Sequence, residues 1–116
     1  MKNIVLIPLL LLISTLLSAQ TKIPVDSVSS HIGEKVVVCS EVYGIKSTEK
    51  LTFINVGAAY PNSPLTLVIF AKDLPNFSDA PEKLYGNKPI CVTDTLKEFK
   101  GKTEMVITKP EEIAIQ

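Results

Sequence analysis

The sequence contains no arginine and no tryptophan, and in 116 residues it has one histidine, His31, and two cysteines, Cys39 and Cys91. These absences narrow the chemistry. No serine, histidine and acid set forms by motif, and Cys39 has no base partner suggested by the sequence, so nucleophilic catalysis lacks its parts. Two cysteines with one distant histidine do not make the four-ligand spacing of a structural zinc site. There is no Gly-rich phosphate loop, no EF-hand loop and no His-Glu-x-x-His word. His31 falls at the end of an expected short helix, where a cation or a simple solvent contact accounts for it. The expectation is a protein that is not an enzyme and carries no metal or cofactor. All 12 basic residues are lysines, matched by 12 acidic residues for a formal net charge of zero. Attraction to nucleic acid or anionic lipid is then not a property of the whole molecule, and any basic site is a local patch.

The one long apolar run lies at the start of the chain. Lys2 gives a basic beginning, Ile4 to Ile13 an apolar stretch, and Ser18 and Ala19 a small-residue exit. This order is that of a cleavable secretory signal over residues 1–19, with the cut between Ala19 and Gln20, although Leu17 is larger than the residue preferred three positions before such a bond. A membrane-spanning helix fits less well, because the run is shorter than the roughly 20 residues a bilayer demands and Pro8 interrupts it. The residue directly after the cut is Gln20 and not a cysteine, so a lipid-anchored N-terminus is not expected, and no membrane attachment is expected after cleavage. Taking nineteen residues from 116 leaves 97, enough for one core and too few for two. Loss of Lys2 brings the formal charge to −1, and much of the 46% apolar fraction leaves with the signal. The expected location is the periplasm or the medium. In that oxidising setting an even cysteine count reads first as one disulfide, with two buried free thiols as the alternative.

Along residues 20–116, Ile23, Val28 and Ile32 recur at roughly helical spacing after Pro24 and before Gly33, which predicts one short helix leading into a turn. A first strand follows over Val36–Tyr43, β-branched at its start and alternating later. A polar loop, Gly44 to Lys50, leads to a second strand at Leu51–Val56. The turn-rich Gly57–Pro64 segment separates that from a third strand at Leu65–Phe70, since two prolines remove ladder donors. Between Lys72 and Asn87, Ser78 is placed as a helix cap and Gly86 as a stop for a short helix around Ala80 to Leu84. A fourth strand runs from Ile90 to Leu96. Lys97–Lys102 reads as a tight polar turn around Gly101, Thr103–Thr108 as a fifth strand, and Pro110 as the end of the sheet. No repeat and no second domain boundary is visible.

Three strands, a short helical crossover and two more strands is the order of an OB-fold, a five-stranded, partly open Greek-key barrel in the all-β class with short helices. Three stretches sharpen the likeness: Gly33-Glu34-Lys35-Val36-Val37-Val38-Cys39, then Thr52-Phe53-Ile54-Asn55-Val56-Gly57 with Tyr60-Pro61-Asn62, and Gly86-Asn87-Lys88-Pro89-Ile90-Cys91-Val92-Thr93. Over nearly all of residues 20–116 the chain resembles the small exported bacterial OB-fold domains, nucleic-acid-binding in type, that also occur attached to secreted nucleases. The family commonly has glycine where this chain has Ser40 and Asp94, which suggests an altered local bulge or bend. Hydrolytic members of such families gather arginine and carboxylates around a metal to stabilise phosphoryl charge, so the absence of arginine argues for the recognition scaffold without the hydrolysis. Strand alternation puts Val36, Val38 and Val42 on one face and Val37, Cys39, Glu41 and Tyr43 on the other, while Ile90, Val92 and Leu96 oppose Cys91, Thr93 and Thr95. First and fourth strands are antiparallel neighbours in an OB-fold, so a Cys39–Cys91 bridge on the outer faces is reachable, with half-exposed free thiols as the other outcome.

OB-folds usually bind on the face of strands two and three with the first and last hairpin loops. In this chain those parts offer Tyr43, Lys46, Lys50, Asn55, Tyr60 and Lys72, with Phe99, Lys100 and Lys102 from the last hairpin. Phe53 and Phe70 lie there too, but read as core first. Aromatics beside a cationic track are what a single strand of nucleic acid needs, and single-stranded nucleic acid or an oligonucleotide is the ligand class the resemblance implies. A small molecule, an oligosaccharide or a partner protein on the same barrel suits the near-neutral charge, and a structural accessory domain meeting an exported enzyme through an open sheet edge is a third reading.

Overall fold

The computed structural model describes residues 20–116, and the expected leader, residues 1–19, lies outside the described residues. The longest strand organises the rest. Val36, Val37 and Val38 favour extended backbone, and β2, Lys35–Ser47, alternates so that Val36, Val38 and Val42 are buried. Its first half pairs antiparallel with β5, Pro89–Thr95, and its second half with β3, Leu51–Val56. The register shifts between Val42 and Gly44, where the strand passes from one partner to the other. A shift of this kind bends a strand, and here it lets one strand serve both halves of a coiled sheet.

β3 pairs antiparallel with β4, Leu65–Phe70, and β4 pairs parallel with β7, Lys102–Val106. β7 pairs in turn with β6, Lys97–Phe99. Only Leu96 separates β6 from β5, and its backbone N–H donates to the Glu34 carbonyl while its own carbonyl accepts from Gly33 N–H, at 3.0 and 2.7 Å. The sheet thus closes on itself as an OB-fold barrel, with β5 and β6 together acting as the fourth barrel strand. Val36, Val38, Ile54, Val56, Leu65, Leu67, Ile69, Ile90, Val92, Leu96, Met105 and Ile107 fill the interior and are at most 1% exposed. Crossing from β4 to β5, the short helix α1, Pro81–Tyr85, turns Tyr85 into this core, where its ring meets Phe77 edge to face at 6.4 Å between centroids. Gly57 ends β3 at φ +93°, and a Cβ there would come within 2.7 Å of the Pro64 ring, so the turn into the Gly57–Pro64 loop admits no side chain.

Cys39 and Cys91 are register partners on β2 and β5 and form a disulfide that spans 52 positions of sequence. A structural disulfide is compatible with an oxidising location. Pairing of β2 with β5 runs unbroken through Ser40 and Asp94, and the irregularity of β2 lies at Val42–Gly44 on the β3 side.

Several elements differ from their sequence reading. Three short strands join the five expected, for a total of eight among the described residues. β1, Thr21–Ile23, pairs parallel with β2 ahead of a 3₁₀ segment, Val25–His31, which stands where a short helix was expected. The first barrel strand continues to Ser47 rather than stopping at Tyr43, because cross-strand partners in β3 offset the weak strand preference of Gly44 and Lys46. Ser78 is not the cap of α1; Ala80 occupies that place, and Pro81 in the first turn leaves one fewer N–H to cap. A further 3₁₀ segment, Ala71–Asn76, precedes it. Lys97–Lys102 is not all turn: Lys97–Phe99 is paired, and only Lys100 and Gly101, both at positive φ, make the reversal. Pro110 does not end the sheet. A 3₁₀ turn, Pro110–Glu112, leads into β8, Ile113–Ile115, on the outer edge of β5.

Candidate functional site

The outer face of the β2–β3–β4–β7 sheet carries two parallel rows of side chains fixed by register. One row reads Lys46, Phe53, Val68, Val106 across the four strands. The next reads Gly44, Asn55, Thr66, Glu104, with Lys97 of β6 beyond it. Directly opposed residues lie about 5 Å apart across antiparallel strands, so each row is a continuous strip. The Gly57–Pro64 loop brings Tyr60 over one side, and the β6–β7 turn brings Phe99 and Lys100 over the other. Between them lies a groove of about 400 Å³ lined by Lys46, Phe53, Asn55, Tyr60, Thr66, Phe99, Lys100, Lys102 and Glu104.

Walls and floor differ in chemistry. Tyr60 and Phe99 are 70% and 53% exposed, and each sits beside a lysine: Lys102 Nζ is 4.9 Å from the Tyr60 ring centre and Lys100 Nζ is 5.3 Å from that of Phe99. Contacts of this kind hold an ammonium and an aromatic face together at the rim while leaving both open to a ligand. Asn55, Thr66 and Glu104 form the floor, each only 8% exposed. The hydroxyls of Ser63 and Thr66 donate to Asn55 Oδ1 at 3.1 and 3.3 Å, which orients the amide. Burial pushes the Glu104 carboxyl above its ordinary pKa, while the charges of Lys97 and Lys102 pull the other way. No lysine makes a salt bridge to it among the described residues.

Of the residues singled out from sequence, Lys46, Asn55, Tyr60, Phe99, Lys100 and Lys102 come together in this groove. Phe53 joins them, so it is not core, and Phe70 is 39% exposed on the same outer face. Tyr43, Lys50 and Lys72 stand outside. Tyr43 sits at the irregularity of β2, and Lys50 and Lys72 flank the Leu51–Phe70 pair at the far end of β3 and β4. Lys72 faces Asp73 at 3.6 Å. Thr66 and Glu104 were not anticipated. A lone acid in an alternating strand reads as solvent-facing, and only the parallel Thr66–Glu104 register, 38 positions apart, shows that the groove covers it. His31 Nδ1 lies 2.9 Å from Glu34 Oε1 near the surface, away from the groove. Among the described residues no group of three or more His, Cys, Asp and Glu side chains is arranged to hold a metal, and no helix is long and apolar enough to cross a membrane.

No family model matches the chain, and no curated protein matches it. Solved structures do. The chain is similar to a Leishmania major Friedlin protein described as an aspartyl-tRNA synthetase, with TM-score 0.54 and 16% identity over 88% of this chain and 22% of that one. It is similar to a chain of the S. pombe Stn1–Ten1 complex, with TM-score 0.54 and 13% identity over 71% of this chain and 57% of that one. It is also similar to OBody AM1L10, solved bound to hen egg-white lysozyme, with TM-score 0.57 and 14% identity over 86% and 97% of the two chains. The chain therefore spans less than two thirds of the first two and nearly all of the third. Likeness at this identity establishes the OB-fold.

Proposed function

We propose that the protein is an exported, non-enzymatic OB-fold module that binds single-stranded nucleic acid in the groove over β3, β4 and β7. The observation that carries this reading is the convergence of Phe53, Tyr60 and Phe99 with Lys46, Lys100 and Lys102 around one cleft. Bases stack on aromatic faces whatever their sequence, and lysines beside them meet the phosphates. The groove occupies the surface that OB-folds use for oligonucleotides and oligosaccharides. Export is supported by the leader-like residues 1–19 and by the Cys39–Cys91 disulfide.

The test is binding of the disulfide-bonded protein to a labelled single-stranded oligonucleotide at several salt concentrations. Three groove lysines that neutralise three phosphates give a slope of about −2 in log affinity against log salt, a loss of roughly 20-fold between 50 and 200 mM. Phe99→Ala with Lys100→Ala removes one stacking face and one cation, and lowers affinity by at least roughly tenfold. Absence of binding at low salt refutes the reading.

A second reading is favoured by a different observation. The formal charge of residues 20–116 is −1, and the groove volume lies within the few hundred Å³ usual for small-ligand sites. A small molecule, an oligosaccharide or a protein loop in the same place would show affinity that hardly changes with salt. OBody AM1L10 is a case in which a chain of this fold was solved bound to a protein.

A further inference from the structure

Stacking walls explain how the groove would hold a base, but not why its floor is polar. Glu104 is more than nine-tenths buried and lines the cleft, yet among the described residues it has no salt-bridge partner. Lys102 lies over Tyr60 and Lys100 over Phe99, and the charges of Lys97 and Lys102 act on Glu104 without a salt bridge to it. A carboxylate accepts only, with two oxygens side by side, and those of Glu104 open onto the groove with no hydrogen bond from the protein among the described residues. Two register positions away, Asn55 shows the opposite chemistry. Its Oδ1 is occupied by the Ser63 and Thr66 hydroxyls, and its Nδ2 lies toward Gly44, where a Cβ would stand 4.0 Å from it. The floor therefore presents an amide donor at one side and a paired acceptor at the other, with the Thr66 hydroxyl between them.

Resting on the nucleic-acid reading of the groove, we infer that this floor selects guanine, with the Glu104 carboxylate accepting from N1–H and N2–H. Among the common bases only guanine carries two adjacent N–H donors on its Watson–Crick edge, and a carboxylate receives both at once. Adenine and cytosine offer one exocyclic amine to the carboxylate. Thymine and uracil offer a single ring N–H flanked by two carbonyls, which meet the carboxylate as like partial charges.

The experiment uses three labelled thymine-rich single strands that differ at a central pair of positions: guanine, inosine or thymine. Inosine keeps O6 and N1–H and lacks only the N2 amine, so it separates the proposed pairing from stacking. The guanine strand is expected to bind roughly tenfold tighter than the inosine strand, the range that a good bidentate contact provides. In Glu104→Gln, which has nearly the same shape and replaces one acceptor by a donor, the guanine and inosine strands are expected to converge. Equal affinity of the wild-type protein for all three strands overturns the guanine inference and leaves the binding module standing. A guanine preference that persists in Glu104→Gln overturns the assignment to Glu104. Failure to bind any of the three overturns both.

Discussion

Replacing both Cys39 and Cys91 by serine should remove about 4 kcal/mol of folding stability. The bridge closes a loop that spans 52 positions, and in the chain-entropy view the gain comes from restricting the unfolded chain, by an amount that grows with the logarithm of loop length. Evaluated for 52 residues, the entropy is about 14 cal/mol/K, or about 4 kcal/mol at room temperature. Few other losses accompany it. Both cysteines are half-buried on the outer side of the β2–β5 pair, while the inward neighbours Val38, Ile90 and Val92 carry the packing and are left in place. For a domain of this size the change lowers the melting temperature by on the order of 20 °C. Urea unfolding of the oxidised protein and of the double variant measures it, with the reduced wild type as a second comparison that keeps both sulfurs. A loss below about 1 kcal/mol in both comparisons would refute the entropic account and show that strand pairing alone holds β2 against β5.

Two further predictions concern closure and pH. Leu96→Ala should cost about 2–5 kcal/mol in urea unfolding, since this fully buried side chain occupies the one position that joins β5 to β6 and completes the barrel. Asp94, near the end of β5 and paired with Val36, has its carboxyl raised from 3.8 to about 6, first by burial and then by its hydrogen bond to Glu112, whose own carboxyl is held lowered by that bond and by the backbone N–H groups of Thr108 and Lys109. A raised carboxyl favours folding while it stays protonated, so Asp94 contributes stability that is present below pH 3.8 and is lost as pH rises through about 6. Glu112, lowered, acts in the opposite sense, and its contribution is lost on acidification. In Asp94→Asn, which keeps a donor facing Glu112, urea midpoints should lose the fall expected of the wild type between about pH 4 and pH 6; an unchanged pH profile would show that the Asp94–Glu112 contact does not govern it.

The barrel was legible where sequence pattern and burial have one cause. In β2, β4 and β5 the β-branched and aliphatic residues alternate or run continuously because the interior takes every second side chain, and Val36, Val38, Ile90 and Val92 point inward as the alternation predicts. The facing parity of Cys39 and Cys91 follows from the same period, which is why their pairing could be anticipated once the two strands were taken as neighbours. The short strands were not legible. β1, β6 and β8 are three residues each, too short for a period to show, and they form because β2, β7 and β5 present backbone groups that need partners.

Composition and local pattern by themselves determined the strand-rich class, the order of the main elements, the inward residues and the lack of a motif for catalysis. Most of the groove residues could be named, since the fold's usual binding face told where aromatics and lysines would collect. Only tertiary structure decided which of them meet: Tyr60 and Phe99 reach one cleft because the β3–β4 loop and the β6–β7 turn lean over the same face, while Lys50 and Lys72 belong to the other end of it. It alone decided that Glu104 is buried. A residue's exposure depends on what a distant part of the chain lays over it, and for Glu104 that is set by parallel pairing with Thr66 across 38 positions, a distance over which local sequence carries no signal.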